Sequence, residues 1–337
     1  MKVKNILIKA DLIGNGIVNM DSNEQKWVFN GENSHLQSRY DNVSYAKKNF
    51  YRGSDNKLTY KLKISSDCLK NEMFKTEVIA QSPKISHELG VLYSYIASPM
   101  SLIRGYLFAN KQETLKRSGA LTICDAEQTC GAVSTLEFFA KSGEKTQNDG
   151  TTDKSDNTIY KKESVGDISY LTFGNIDLMK LQFVSADQVF DRYAFNPDYF
   201  SMFKSFLSLR LKNFVSELGY YKIKGSALEI PEYGVKLSNE NVLDLVKEIL
   251  TKFININIKR KGSFAKVNKL KIKLVFDPLV DTFNSEDNWI EISTLEDINN
   301  LSMDITDFYE LVDIDEAKKL RKDIELSLKL EKEKEVA

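Results

Sequence analysis

The sequence is poor in the residue types that most often hold zinc, since its 337 residues include only two histidines and three cysteines. Cys68, Cys124 and Cys130 are too few and too scattered for a disulfide framework, which favours a reducing compartment. No stretch reaches about 18 consecutive apolar residues, and the N-terminus lacks the features of a secretory signal. We therefore expect a cytoplasmic protein that has no metal centre and does not contact a membrane.

The common catalytic motifs are also missing. The sequence contains no Walker A loop, no paired-glycine dinucleotide fingerprint and no Gly-x-Ser-x-Gly elbow. His87-Glu88 resembles half of a zinc-protease motif, but Val91 occupies the position of the second histidine. We predict no catalytic residue and no cofactor, and interpret His87 as part of a helix start.

One enzymatic alternative stays open, because several convergent carboxylates can hold the metal ions of a nuclease. Asp21, or Asp125 together with Glu127, would be the residues of such a metal-dependent ribonuclease. A second alternative is a structural assembly protein that binds no nucleic acid. Capping or other structural roles are the simpler interpretation of the three acids.

The distribution of apolar residues predicts an α+β chain. Hydrophobic residues make up 42% of the sequence, enough for a sizeable core. Strand-like segments and helical spacings alternate along the chain, which favours a ferredoxin-like (RRM-like) core with insertions over residues 1–337. We predict strands at 3–12, 58–64, 120–125, 168–173, 176–184 and 267–274. We predict helices at 86–98, 100–108, 198–218, 239–256 and 315–335, the first capped by Ser86.

Three segments depart from this core. Residues 35–63 form a basic insertion rich in aromatic residues. Residues 141–162 begin with a run that has no apolar residue up to Asn157, which predicts a loop or an exposed hairpin tip. Residues 281–337 carry 17 acids against seven bases, so the two ends of the chain have opposite polarity and could meet head to tail between copies.

Basic residues gather at 38–63, 101–117 and 257–273, although the net charge of the chain is only −1. A basic surface attracts phosphates, and aromatic rings between the charges give unpaired bases a surface for stacking. We predict phosphate contacts from Arg39, Lys47, Lys48, Arg52, Lys259, Arg260 and Lys261, and base stacking from Tyr45 and Phe50. The alternative interpretation is that these charged side chains only keep the protein surface hydrated and bind no ligand.

Two segments of the sequence are similar to segments of a known protein family. They are HELGVLYSYIASPMSLIRG at 87–105 and KRSGALTICDAE at 116–127, with weaker matches at 160–170 and 174–183. The chain resembles the backbone subunits (family seven of the CRISPR-associated proteins, in the RAMP superfamily) of type I-F variant and type IV complexes. The similarity covers about residues 85–215.

The resemblance implies a hand-shaped subunit with a ferredoxin-like palm, finger elements and a thumb hairpin, for which 141–162 is the candidate. It implies a non-catalytic role in which copies line up along the spacer of a guide RNA (crRNA), beside other CRISPR complex subunits, and present the guide for pairing with target nucleic acid. The Ser-x-x-Arg segment gives Ser101 and Arg104 as guide contacts, and Lys116 and Arg117 precede the matching strand.

Overall fold

The computed structural model describes residues 1–322, except 22–24, 31–32, 39–42, 54–55, 76–87, 110–113, 132–134, 142–144, 147–151, 154–157, 189–191, 227–229, 261, 280 and 284–286. For 20–21, 25–30, 33–38, 43–45, 58, 135–141, 145–146, 152–153 and 158–164 it describes the backbone alone. Within these residues, no helix combines the length and the apolar character needed to cross a bilayer.

The helices are α1 Ser66–Met73, α2 Leu89–Ile96, α3 Pro99–Arg104, α4 Leu178–Gln182, α5 Phe200–Arg210, α6 Asn239–Ile254 and α7 Leu295–Asn299, and residues 314–322 are also helical. The strands are β1 Asn5–Asn15, β2 Met20–Asp21, β3 Gln25–Asn30, β4 Asn33–Ser38, β5 Val43–Ala46, β6 Lys48–Arg52, β7 Leu58–Ile64, β8 Tyr106–Ala109, β9 Thr114–Arg117, β10 Leu121–Ile123, β11 Ala126–Gly131, β12 Thr135–Lys141, β13 Lys145–Thr146, β14 Thr152–Asp153, β15 Thr158–Ser164, β16 Asp167–Asp177, β17 Phe183–Ser185, β18 Leu218–Ile223, β19 Glu232–Lys236, β20 Asn257–Arg260, β21 Ser263–Val275, β22 Ile290–Ile292 and β23 Tyr309–Val312.

The largest sheet, called the main sheet below, has nine strands in the order β20-β21-β1-β16-β11-β7-β6, with β10 paired to β16 and β22 to β21. All of its pairs are antiparallel. The central strand β1 runs beside β16 without a break in register, from Asn5 opposite Asp177 to Asn15 opposite Asp167. The prediction of an α+β chain is confirmed.

The two faces of the main sheet differ, because side chains alternate along a strand. On β1, Ile6, Ile8 and Leu12 are completely buried and belong to one core cluster with the apolar side of α6. The intervening residues of β1 and of β16 are mostly only half-buried. We call this second, half-buried side the open face. The helices α4 and α6 contact β1 and β21, so the sheet carries its helices on the core side.

Helix α6 shows why this core forms. Its apolar residues recur every three or four positions, and Ser238 caps it by accepting a bond from the backbone N–H of Asn241. Val242, Leu245, Val246, Ile249, Leu250 and Phe253 are all buried. Burial of each such side chain stabilises the fold by about 1.5–3 kcal/mol. The prediction of a helix at 239–256 is confirmed.

A smaller four-stranded sheet has the order β17-β19-β18-β23 and is called the second sheet below. Phe183, Tyr221 and Tyr309 form its own apolar cluster, in which the rings of Phe183 and Tyr309 stack at 4.8 Å. Strand β23 belongs to the acidic C-terminal region, so that region contributes an edge strand to this sheet. Residues 314–322 continue it as a helix, and the predicted remainder of that helix, up to 335, lies outside the described residues.

The segment predicted as a loop or hairpin tip connects two strands that form a long antiparallel ladder. Strand β12 pairs with β15 from Thr135 opposite Ser164 to Lys141 opposite Thr158, and β13 pairs with β14 beyond it. Strand β5 adds to β15 in parallel, and β2 adds to β5. The polar connections of this hairpin, at 142–144, 147–151 and 154–157, lie outside the described residues.

Three predicted elements are wrong in part. The predicted strand 176–184 contains helix α4, because Asp177 accepts a bond from the backbone N–H of Lys180 and starts a helical turn. The predicted helix 198–218 ends at Arg210, where Leu211 becomes extended. Leu211 and Phe214 enter the core from a loop instead, since both are buried without a helix.

The region predicted as two helices around Pro99 also differs. Glu88 rather than Ser86 precedes helix α2, and Ser86 lies outside the described residues. Pro99 occupies the first turn of α3, where its missing N–H costs nothing. Gly105 has φ +77° and its absent side chain leaves room for the carbonyl oxygen of Arg117, so the chain turns there. Residues 106–109 therefore form strand β8 instead of a second helix.

Candidate nucleic-acid interface

The open face of the main sheet brings basic and aromatic side chains together at its centre. Lys9 on β1 lies opposite Phe173 of β16 and opposite Lys271 of β21. One step further along β1, Asp11 lies opposite Lys269. Directly opposed residues in a sheet share one face, with Cβ atoms about 4.5–5.5 Å apart. Lys9 thus lies between Phe173 and Lys271, and Lys269 follows on the same face of β21, on a surface that the helices leave open.

These lysines form no ion pair among the described residues. The register nevertheless places an acid directly opposite two of them, Asp11 opposite Lys269 and Glu291 opposite Lys271. A lysine without a counter-charge stays hydrated and keeps its charge available for a ligand phosphate.

The ring of Phe173 is held by a second ring. Phe283 packs against it edge to face, with centroids 5.4 Å apart, and Phe283 itself is 39% exposed. Such a pair is geometrically specific and fixes the orientation of both rings. A flat apolar surface therefore lies beside the lysines, the combination that suits an unpaired nucleotide strand.

The hairpin β6–β7 extends the sheet and carries several of the predicted residues. Phe50 is 43% exposed, and its ring lies 6.5 Å from that of Tyr60. The Nζ atom of Lys48 lies 4.5 Å from the centroid of Tyr60, a cation–π contact. Arg52 donates to Oδ1 of Asn56 at 2.7 Å within the turn of the hairpin. Lys48, Phe50 and Arg52 alternate with the residues of the open face, so they project from the opposite side of the hairpin.

The acidic pair that could have served a nuclease is held by protein groups. Asp125 accepts bonds of 2.8 Å from Nζ of Lys63 and from the backbone N–H of Ser66. Partial burial acts to raise the pKa of Asp125, but these two bonds outweigh it, and the pKa lies below its ordinary value.

Glu127 is held in the same way. It accepts hydrogen bonds from the Tyr51 hydroxyl and, at 2.6 Å, from Nδ2 of Asn49. The Tyr51 bond is the main reason that the pKa of Glu127 is lowered, and the same bond raises the pKa of Tyr51. Among the described residues, no group of three or more acids, histidines or cysteines could hold a metal ion, and the side chain of Asp21 lies outside them.

Helix α1 is the place where basic residues from three parts of the sequence meet. Arg104 donates to Oδ1 of Asn71 at 2.8 Å. Burial raises the pKa of the Cys68 thiol, while the positive charges of Arg260 and Lys47 act in the opposite direction. The three basic blocks of the sequence thus converge on one short helix beside the main sheet.

Two predicted guide contacts have structural roles in the chain. Ser101 is completely buried, and its hydroxyl lies 3.1 Å from that of Ser98 at the start of α3. Arg117 donates to the carbonyl oxygens of Leu102, Phe183 and Lys180 at 3.3, 2.7 and 2.6 Å. The contact of Ser101 with a guide stays a prediction, although its side chain is completely buried in this chain. Arg117 joins α3, α4 and β17 through these bonds, so it does not belong to the open face.

The other predicted residues are dispersed. Lys116 lines a cavity next to Arg117, away from the open face. Lys259 and Arg260 are exposed at the end of strand β20. Arg39 and Lys261 lie outside the described residues, as does the side chain of Tyr45.

The residues that sequence reasoning missed are Lys9 and Phe173. Each stands in a regular apolar alternation, and neither belongs to a dense cluster of charge. Their importance comes from the register that places them side by side. The alternation of lysine with apolar residues at 267–274 was the signal for Lys269 and Lys271, but it is equally typical of an ordinary solvated strand.

Comparisons with known proteins give one family match and two distant structural similarities. A family model described as "Type I-Fv CRISPR-associated protein Cas7fv-like" matches residues 2–278. A chain of a "CRISPR RNA-guided surveillance complex" shares 12% identity over 84% of this chain and 76% of its own length, with a TM-score of 0.39. A chain of a "CRISPR RNA-guided surveillance complex, pre-nicking" shares 10% identity over 82% and 80%, with a TM-score of 0.43. No curated protein matches the sequence. Both structural similarities are distant, so the family match alone carries the assignment.

Proposed function

Because the chain belongs to the type I-Fv CRISPR-associated protein Cas7fv-like family, we propose that it is a non-catalytic, guide-RNA-binding backbone subunit of a CRISPR surveillance complex. In this proposal, copies line up head to tail along the spacer and present it for pairing with target nucleic acid, in contact with the other subunits of the complex.

The observation that carries the proposal is the open face of the main sheet. Lys9 lies beside Phe173, with Lys269 and Lys271 on the next strand, and none of the three lysines forms an ion pair among the described residues. Phosphates that bind there release counterions, and a base can stack on the ring at about 1–3 kcal/mol. A double helix would bury its bases away from the ring, so a single strand fits this surface better.

The residues around the main sheet extend the proposed contact. Lys48 and Arg52, on the opposite side of the hairpin β6–β7, and Lys47, Arg104, Lys259 and Arg260 would hold phosphates of the strand after it passes the edge of the main sheet. Phe50 offers a second exposed ring on the hairpin. Arg39, Tyr45 and Lys261 belong to the same sequence blocks and are proposed as further contacts.

The order of strands supports the interpretation of the main sheet as a ferredoxin-like palm. Strands β21, β1, β16 and β10 are spatial neighbours, while the chain visits them in the order β1, β10, β16 and β21. Helices α1–α3 connect β1 to β10, and α6 precedes β21, as in a split βαβ arrangement. The ladder of β12 and β15 is the proposed thumb.

The polarity of the chain supports association between copies. The region after residue 281 has a net charge of about −10, whereas the open face and the basic blocks are positive. A heterologous contact between two such different surfaces repeats along a line, as a filament on RNA requires.

The salt dependence of RNA binding tests the proposal. The protein, washed free of cellular RNA, would be titrated onto a labelled 30-nucleotide single strand of mixed sequence between about 50 and 300 mM salt. The triple variant Lys9→Gln, Lys269→Gln, Lys271→Gln should bind far more weakly. Its slope of log affinity against log salt should fall by about 2, since each lost phosphate contact removes about 0.7.

A matched control removes the same charge elsewhere. Lys204→Gln, Lys222→Gln, Lys224→Gln neutralises three lysines away from the open face and should keep the slope of the unchanged protein. Equal slopes for both triple variants would refute the assignment of the open face. Magnesium-dependent cleavage of the bound RNA would refute the non-catalytic role, and its loss in Asp21→Ala would identify the nuclease.

A further inference from the structure

Strand β6 carries two neighbouring exposed rings, which lie on opposite sides of the hairpin β6–β7. Phe50 is 43% exposed and Tyr51 is 37% exposed. Consecutive residues of a strand point to opposite faces of its sheet. Because Phe50 projects away from the open face, Tyr51 projects on the side of the open face.

The register across the main sheet places Tyr51 on the same face as Phe173. Leu171 stands two residues before Phe173 on β16 and lies opposite Glu127 of β11. Glu127 in turn lies opposite Lys63 of β7. Tyr51 pairs with the residue of β7 that precedes Lys63 by four positions. Positions two or four apart on one strand share a face, so the rings of Tyr51 and Phe173 both belong to the open face.

A hydrogen bond holds the side chain of Tyr51 along the surface of the sheet. Its hydroxyl donates to Oε1 of Glu127, which also accepts a bond of 2.6 Å from Nδ2 of Asn49. Strand β7 lies between β6 and β11, so the bond from Tyr51 to Glu127 spans two strand spacings of about 4.8 Å each. A side chain that reaches this far lies across β7, and the exposed part of its ring faces the solvent above the sheet.

The charges around the ring of Tyr51 balance one another. The bond from Tyr51 and, to a smaller extent, the positive charge of Lys61 lower the pKa of Glu127, so this carboxylate is ionised at neutral pH. Nζ of Lys61 lies 5.4 Å from the centroid of the Tyr51 ring, and its charge offsets that of Glu127. Lys63 is paired with Asp125 at 2.8 Å. This part of the open face therefore offers a ring without the excess of lysines found at the centre of the face.

We propose that Tyr51 is a second stacking platform of the open face, on which an unpaired base of the bound RNA strand rests while another base stacks on Phe173. The inference rests on the proposed function, because the strand has to lie on the open face to reach Tyr51. Glu127 and Asn49 position the ring and do not contact the base. Every base has a flat face, so the contact requires no particular RNA sequence.

A binding contribution from the ring alone separates Tyr51 from the lysines of the open face. The full chain, washed free of RNA, would be titrated with the same labelled single strand over the same range of salt. Tyr51→Leu should weaken binding at least about fivefold, as expected when one stacked base is lost. The slope of log affinity against log salt should stay unchanged, since no phosphate contact is removed. Tyr51→Phe keeps the ring and should lose less than about threefold.

Two comparisons test whether the loss comes from stacking on this side of the hairpin. Phe50→Leu removes the neighbouring ring, of similar exposure, from the opposite side and should weaken binding clearly less than Tyr51→Leu. An abasic strand of the same length keeps the phosphates but offers no base. Tyr51→Leu and the unchanged protein should bind this strand with affinities within about twofold of each other.

Equal affinity of Tyr51→Leu and the unchanged protein for RNA would overturn the inference. An equal loss on the abasic strand would also overturn it, because Tyr51 would then act through the fold of the hairpin. The proposed function fails by a different result. If the triple lysine variant keeps the salt slope of the unchanged protein, the open face is not the binding surface, whatever Tyr51→Leu does.

Discussion

The two sheets of this protein use their basic residues differently. On the open face of the main sheet, Lys9, Lys269 and Lys271 form no ion pair among the described residues, although Asp11 and Glu291 lie opposite the last two. In the second sheet, the basic residues are tied to acids of the same chain. Arg321 forms a bidentate pair with Asp187, and Asp307 bonds to both Lys224 and Lys236. Lys222 pairs with Glu310 at 3.4 Å.

The difference separates charges that stabilise the fold from charges that remain for a ligand. The acids of the second sheet come largely from the C-terminal region, which the sequence shows as an excess of negative charge. Part of that excess neutralises lysines and arginines within the same molecule, so it does not all face the solvent. Net charge therefore understates the basic character of the open face, where the lysines outnumber the two acids opposite them and form no ion pair among the described residues.

The largest expected effect concerns the ion pair of Asp187 and Arg321. The side chain of Asp187 is only 3% exposed, and it also accepts a bond from the backbone N–H of Tyr233. Removing one partner of a buried pair leaves the other charge unpaired and costs about 3–5 kcal/mol. Asp187→Ala should lower the free energy of unfolding by about 3 kcal/mol, measured by urea denaturation.

The control for this prediction is Glu310→Ala, which breaks the exposed pair with Lys222. It should cost less than about 1 kcal/mol, because solvent screens an exposed pair. Neither variant should change the RNA affinity of the folded protein. Similar losses of stability in the two variants would contradict the distinction between the buried and the exposed pairs.

An intermediate effect is expected from the ring at the centre of the open face. Phe173→Leu keeps an apolar side chain but removes the flat surface, so it should weaken RNA binding by about 1–3 kcal/mol. Phe173→Tyr should restore most of the affinity. Phe50→Leu on the hairpin provides the comparison, and we expect a smaller loss there. A larger loss for Phe50→Leu would move the main interface to the hairpin β6–β7.

The smallest effect concerns acid stability in the second sheet. Partial burial acts to raise the pKa of Asp307, but the bonds from Lys224 and Lys236 outweigh it, so the pKa lies below its ordinary value. A lowered pKa means that the carboxylate stabilises the fold above its ordinary pKa of about 3.9 and loses this contribution as pH falls through the folded-state value.

Asp307→Asn should therefore be less stable than the unchanged protein at pH 7, by less than about 1 kcal/mol because the group is partly exposed. The difference should disappear on acidification through the lowered folded-state pKa of Asp307. Urea denaturation of both proteins at a series of pH values measures it. A difference that grows on acidification would show that Asp307 is not held in its ionised form.

Local patterns determined much of the fold. The alternation of apolar residues is sufficient to place the strands at 3–12, 58–64 and 267–274, and helical spacing with the Ser238 cap is sufficient to place α6. These signals succeed because periodic burial acts on neighbours in the sequence. They fail where a single hydrogen bond determines the backbone conformation, as at Asp177, which starts α4 inside a predicted strand.

The sequence by itself determined that basic and aromatic residues are abundant and that catalytic motifs are missing. It also determined which protein family the chain resembles. Only the tertiary structure decided which charges are available. Arg117 looked like a phosphate contact and is bound to three carbonyl oxygens, whereas Lys9 stood alone in a strand and lies beside Phe173 and Lys271. The reason is that sheet register brings together residues more than 150 positions apart, and a charge becomes a binding group or a structural one according to those distant neighbours.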